Sequence, residues 1–251
     1  MKSSITKKNL IKFFGYTLSI VFWIIVWHIA AISIDKEIFL PTPGKVFSVL
    51  INELLPSETF KLSLLNSLLA IGKGFLFGAL LGITLAILSY LLAPIKVLLW
   101  FPIKVIKSVP VASFVILSLL WMDTEQLATF IPALMVLPTL YINTLTGLKQ
   151  TGDKLLNMAT LFNVPVLRRI RYIYFPSVLP YILSACSLSI GMAWKSGIAA
   201  EIIGLAKDSI GNELYKAKLY LMIPELFAWT IVIVLLSIIC EHIIKAFIRR
   251  A

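Results

Sequence analysis

Residues 157–176 read NMATLFNVPVLRRIRYIYFP. Arg168, Arg169 and Arg171 lie in a short stretch between two apolar runs, residues 127–148 and 177–200. Each run is long enough to cross a hydrocarbon core, which takes ~20 helical residues. The stretch reads as a short helix, a turn, and a ramp back into the apolar phase. Asn163 suits the turn, because Asn follows Gly as the residue that best tolerates a left-handed helix end. Pro165, two residues on, fits a helix stop. Asn157 can cap a helix start, so the helix begins there, or earlier at Thr151 or Asp153.

Working outward, composition sets the class. Of 251 residues, 59% are hydrophobic and 14% charged, with a mean hydropathy of +0.96. Soluble chains are roughly half apolar and a quarter charged. The chain reads as an all-α polytopic membrane protein. The ten-residue alternation of a membrane β-barrel is absent. Cys186 and Cys240 both fall in apolar runs, without disulfide or metal spacing.

Six spans are expected, near residues 13–33, 62–92, 109–121, 127–148, 177–200 and 225–244. The first follows Lys2, Lys7, Lys8 and Lys12 and is too long for an ordinary signal-peptide core, so it reads as retained. Trp23 and Trp27 share one of its faces. His28 reads as interfacial or hydrogen-bonded rather than as a metal ligand, since no second ligand lies at helical spacing. Pro41-Thr42-Pro43-Gly44 reads as a turn, and residues 45–55 as a short amphipathic helix on the outer surface. Gly74, Gly78 and Gly82, spaced by four, give the second span one nearly bare face for close helix packing. The third span is short; it either starts earlier or is a bent helix. Pro132 and Pro138 imply kinks in the fourth.

The charges orient this arrangement. Segments assigned to the inside, including Lys245, Arg249 and Arg250, hold 15 Lys/Arg against 2 acids. Those assigned to the outside hold 6 against 9. Both termini are therefore expected in the cytoplasm. The net charge of +11 serves orientation and gives no reason to expect nucleic acid.

The chain carries no Gly-x-x-x-x-Gly-Lys-Ser/Thr nucleotide loop, no His-Glu-x-x-His and no plausible catalytic triad. Intramembrane acids are nearly absent, which disfavours a proton- or sodium-coupled pump. The expectation is a non-enzymatic part of a larger machine. A stand-alone secondary carrier or channel is the alternative.

The opening stretch resembles the Glu-Ala-Ala loop of the permease subunits of ABC importers, whose form is Glu-Ala-Ala, three residues, Gly, nine residues, Ile-x-Leu-Pro. Ala159, Ile173 and Pro176 match. Asn157 stands for Glu, Met158 for Ala, Asn163 for Gly and Phe175 for Leu. Further features resemble the nitrate, sulfonate and taurine branch: Pro41-Thr42-Pro43, Ser67-Leu68 with Gly74-Phe75, Ser108-Val109-Pro110, Asn143-Thr144, the run from Ala193-Trp194-Lys195 to Glu201, Gly204, and Ile210-Gly211. They cover about residues 41–211 in order.

The resemblance implies a type I ABC importer (MetI-like) permease fold with six transmembrane helices in the bacterial cytoplasmic membrane. Residues 1–34 would be tail and first span, 35–61 an external segment, and 62–251 the permease core with coupling loop 149–176. Implied partners are a cytoplasmic ABC ATPase that binds ATP and Mg, an extracytoplasmic substrate-binding protein, and a second copy of the chain. No cofactor is implied in the chain itself. Asn157, Met158, Ala159, Asn163, Pro165, Arg168, Arg169, Ile173 and Pro176 would form the ATPase-coupling loop, whose arginines would pair with acidic groups or lipid phosphates. The plainer reading is a basic connector.

Candidate path residues are Lys73, Asn143, Ser187, Gly191, Trp194, Lys195 and Glu201. Ser187 with Gly191, and Ala193 with Gly197, are spaced for close packing. Lys73 either faces a path or buried partner or snorkels. Lys195 sits ~7–8 Å from the expected span end at 1.5 Å per residue, so snorkelling and a path role both remain open. The two lysines point to an anionic solute, such as a sulfonate or nitrate; neutral or cationic pyrimidine-like compounds such as thiamine precursors are the other class.

Overall fold

A computed structural model describes residues 2–248 as eleven α-helices with no strand among them. Arg249 and Arg250 lie outside the described residues, as do the side chains of Lys2, Lys7, Lys8 and Lys12. Helix α1 (Lys2–Ile34) is followed by α2 (Pro43–Val49), which runs on as a π-helical turn (Leu50–Leu54). Helix α3 (Glu58–Leu91) follows, then α4 (Ala93–Ser108), α5 (Val111–Ser118) and α6 (Thr124–Lys149). Next are α7 (Asp153–Leu161), α8 (Val166–Arg169) and a second π-helical turn (Ile170–Tyr174). The chain ends with α9 (Phe175–Gly204), α10 (Ile210–Leu219) and α11 (Ile223–Ile248).

Five helical stretches are long and apolar enough to cross a membrane: Phe14–Ile34, Glu58–Leu91, Thr124–Lys149, Val166–Gly204 and Ile223–Ala246. The expected third span, residues 109–121, takes a different form. Helix α5 has only eight residues, ~12 Å of rise, and meets α4 at a bend of 105°. The cause is local. Pro110 pushes Val109 out of the helical region, to φ −83° and ψ 132°. A sixth crossing thus requires the bent pair as a unit.

The centre of the bundle is α3, α6 and α9. A β-carbon on Gly74, Gly78 or Gly82 would meet the carbonyl oxygens of Thr129, Ala133 and Leu137 at 2.3, 2.4 and 2.7 Å. Two rows at helical spacing therefore run backbone against backbone, so α3 and α6 approach as closely as the small-residue row allows. On α9, Gly197 makes room for a side chain of α3, since a β-carbon there would meet Ile71 Cγ1 at 2.5 Å. Both prolines of α6 are buried within one continuous helix. Pro132 occupies the seam, 3.0 Å from a β-carbon on Gly74 and 3.1 Å from one on Gly197.

Smaller elements close the ends. Ser57 caps α3 by accepting the Phe60 N–H at 3.1 Å, and Ser209 caps α10 by accepting that of Asn212 at 3.1 Å. The segment expected as a surface helix, residues 45–55, buries Val46, Val49, Leu50 and Leu54 in the main apolar core. Helix α1 stays peripheral, with only 6% of its apolar window buried. It is pinned where Trp27 stacks on Phe227 at 5.7 Å and donates its indole N–H to the Pro41 carbonyl at 3.1 Å.

Candidate coupling loop and cleft

The two ends of α6 define two regions. One is the loop end, where α7 and α8 sit. The other is the cleft end, near the start of α6.

At the loop end, α7 starts at Asp153 after Gly152. This selects the earlier of the possible helix starts, and Asn157 is an exposed residue in the second turn rather than a cap. Asn163 adopts φ 50°. The chain reverses there, and the Val164 N–H donates back to the Ala159 carbonyl at 2.9 Å. Pro165 then precedes α8. Of the side chains described in α7, only Ala159 is buried. Leu155, Met158, Leu161 and Phe162 are exposed, the last two at 80% and 75%. Helix α7 thus shows apolar side chains outside the spanning-length stretches.

The arginines separate. Arg168 is exposed. Arg169 folds back onto α7, where its Nε donates to the Val164 carbonyl at 2.7 Å. Ile173 lies in the second π-turn, and its carbonyl accepts the Ser177 hydroxyl at 2.7 Å. Pro176 is the second residue of α9. A proline there cannot bond back to residue 172 and crowds that carbonyl. The wider π-turn at Ile170–Tyr174 lies where that conflict falls and keeps the helix continuous.

At the cleft end, a cleft of about 410 Å³ is lined by Asn66, Lys73, Glu125, Thr129, Lys207 and Asp208, among others, with Glu201 in its wall. Beside it, Glu201 is fully buried. Its Oε2 accepts the Ser67 hydroxyl at 2.9 Å and the Gly211 N–H at 3.0 Å. Ser67 Oγ in turn accepts the Ile210 N–H at 3.0 Å, and Asn66 Nδ2 donates to the Asp208 carbonyl at 3.0 Å. These bonds tie the end of α9 to α3 and to the start of α10. The approach is tight, since a β-carbon on Gly211 would lie 2.4 Å from Glu201 Cβ. Glu201 Oε1 is buried with no hydrogen-bond partner among the described residues.

Glu201→Ala strands the Gly211 N–H and the Ser67 hydroxyl. It is expected to destabilise the protein by roughly 1–3 kcal/mol for each donor left unpaired, read as a lower unfolding midpoint in detergent. Glu201→Gln keeps one carbonyl oxygen for both donors and is expected to fall between the variant and the wild type.

Of the other candidate path residues, Lys73 alone reaches this cleft. Lys195 is exposed elsewhere on α9. Trp194 is buried and donates its indole N–H to the Ile233 carbonyl at 3.0 Å. Asn143 Nδ2 donates to the Thr139 carbonyl of its own helix at 2.8 Å. Ser187 is half-buried. A β-carbon on Gly191 would meet nothing within 4 Å, so this glycine, unlike Gly197, supports no close packing within the chain. The sequence pointed to Ser67 and Gly211 only through the resemblance. Their pairing with Glu201 joins residues 134 and 10 positions apart, and no local pattern announces it.

Comparison with known proteins bears on the whole arrangement. Residues 74–251 match the family described as binding-protein-dependent transport system inner membrane component. SsuC of Bacillus subtilis, named as a permease protein for aliphatic sulfonates transport, is 25% identical over 229 residues, covering 90% of this chain and 82% of SsuC. The nitrate import permease protein NrtB of Synechococcus elongatus is 25% identical over 225 residues, 82% of this chain and 76% of its own length. The taurine transport system permease protein TauC of Escherichia coli is 23% identical over 236 residues, 89% and 83% of the two chains. The chain belongs to the inner membrane components of binding-protein-dependent transport systems, as an ABC importer permease of the nitrate, sulfonate and taurine type.

Proposed function

We propose that this chain forms the translocation path of an ATP-driven importer in the bacterial cytoplasmic membrane. It works as a homodimer with two cytoplasmic ATPases and an extracytoplasmic binding protein. In this reading the chain makes six crossings, one of them the bent α4–α5 pair, with both termini and the loop end in the cytoplasm. The distribution of Lys and Arg supports that orientation. ATP and Mg belong to the partner ATPase.

The observation that carries this reading is α7. Its exposed Leu155, Met158 and Leu161, with Phe162 just after it, offer an apolar surface to an ATPase groove. ATP binding draws the two copies of α7 together, and the spans rock between inward and outward access. This requires only that the ATPase bind one state better than the other. The solute is small; relatives are named for sulfonates, nitrate, taurine and bicarbonate. Lys73 and Lys207 at the cleft stand beside Glu125 and Asp208, a mixed lining whose charge does not choose between these solutes and a thiamine precursor. Ligand binding by the partner binding protein, measured across those classes, decides between them.

Replacing Met158 and Leu161 together by Glu is expected to abolish co-purification with the ATPase while the chain still inserts and folds. Each substitution puts a charge where the partner expects an apolar side chain, a cost of several kcal/mol if the charge is buried unpaired. Full ATPase recovery with the double variant removes the coupling role from α7. Solute uptake by the purified chain in vesicles, without any ATPase, would instead establish the carrier alternative.

A further inference from the structure

We propose that Arg169 is the joint that locks α7 to α9, so that the coupling helix and the span move as one lever. This rests on the importer reading and adds how force leaves the coupling helix. The guanidinium makes three bonds, all to the end of α7 and its reversal. Nε donates to the Val164 carbonyl at 2.7 Å, Nη1 to Thr160 Oγ1 at 3.2 Å, and Nη2 to the Ala159 carbonyl at 3.1 Å. A guanidinium is a planar fork of fixed donors. Three acceptors on one fork therefore fix orientation as well as distance. The last carbonyls of a helix lack intrahelical partners and carry partial negative charge, so the cation is matched to this position.

The base of the fork is as important as its tips. Arg169 ends α8, and α8 continues through the second π-turn into α9. Residues 166–204 form one helical stretch of 39 residues, about 58 Å at 1.5 Å per residue. Without the fork, α7 would hang from this stretch by the reversal at Asn163, Val164 and Pro165, with its backbone torsions as hinges. With it, a displacement of α7 passes directly into α9. The far end of α9 is latched through Glu201 to Ser67 of α3 and Gly211 of α10. A push at the loop end thus reaches the cleft end along a single helix. Arg169 is a positioning residue here, with three of its five N–H donors engaged inside the chain.

The test reads motion at both ends. Spin labels are placed in a Cys186→Ser, Cys240→Ser background. In the free chain in nanodiscs, labels at Lys154→Cys and Tyr172→Cys report the α7–α9 angle. Arg169→Ala is expected to broaden their distance distribution, and an unchanged width overturns the joint. In the complex with the co-purified ATPase, labels at Glu58→Cys and Lys207→Cys report the cleft end on adding ATP and vanadate. With Arg169→Ala, the ATP-driven shift is expected to fall roughly two- to thirtyfold, while ATPase recovery and hydrolysis persist. Arg169→Lys keeps the charge but not the fork and is expected to remain defective. Full rescue by Lys, or loss of the ATPase with Arg169→Ala, would show a charge or docking role and overturn the proposal. Failure of the wild type to bind any ATPase sinks the importer reading instead, and the nanodisc measurement still decides the joint.

Discussion

Gly78→Leu yields little or no folded protein, whereas Gly72→Ala, on the same helix, is recovered and unfolds like the wild type. Both outcomes are read by detergent-extracted yield and thermal unfolding. At Gly78 a β-carbon would lie 2.4 Å from the Ala133 carbonyl oxygen and 2.8 Å from Ala133 Cα, whereas at Gly72 nothing lies within 4 Å. The obstacle is backbone on a buried helix, so no side-chain rotation relieves it. The helices must separate, and the flanking contacts at Gly74 and Gly82 are lost with them. In a bilayer there is little hydrophobic gain to hold them together, because lipid is as apolar as the core. Even Gly78→Ala is expected to cost roughly 1–3 kcal/mol as an overpacked site. Normal yield and stability for Gly78→Leu would mean that α3 and α6 do not pack along this row.

Ala159→Pro brings ATP-driven uptake to background while the chain still inserts and its spans keep their thermal stability. Proline at 159 removes an N–H from the middle of α7 and drives its ring toward the carbonyl of residue 155, a cost of about 3 kcal/mol. Helix α7 has only nine residues, and isolated helices below ~12–15 residues are marginal in water. It has no reserve against that cost and is expected to melt. Its apolar side chains then no longer share a face for the ATPase, so co-purification falls together with uptake. Because α7 lies outside the spans, the bundle of α3, α6 and α9 is untouched. Retained uptake in this variant would remove α7 from the energy path.

These expectations draw on two kinds of information. The long apolar runs, the glycine row of α3 and the reversal at Asn163 were all legible in residue order. Each rests on a property that acts over a few residues: transfer of apolar side chains, the missing β-carbon of glycine, and the tolerance of Asn for positive φ. Pro110 was visible as a break, but the 105° bend it produces depends on what α4 and α5 each pack against. The relatives' family was legible for the same reason, since its recurring motifs are local.

Arg168 and Arg169 show the limit. In the sequence they are adjacent cations of equal character, both assigned outward to a partner or to lipid. The structure turns Arg169 inward, because the αL turn at Asn163 brings the Ala159 and Val164 carbonyls within reach of one guanidinium and not of the other. Glu201 shows the same limit over a longer range. As a lone acid at a span end it read as a path residue, and its buried bonds to Ser67 and Gly211 appear only once α3, α9 and α10 are packed. Sequence by itself determined the membrane class, five of the six expected long apolar helices and the place of the loop at residues 149–176, because those follow from solvent transfer and local backbone preference. Tertiary structure alone decided which polar groups meet, because a hydrogen bond between distant residues is set by helix packing, and helix packing is set by the whole row of side chains at once.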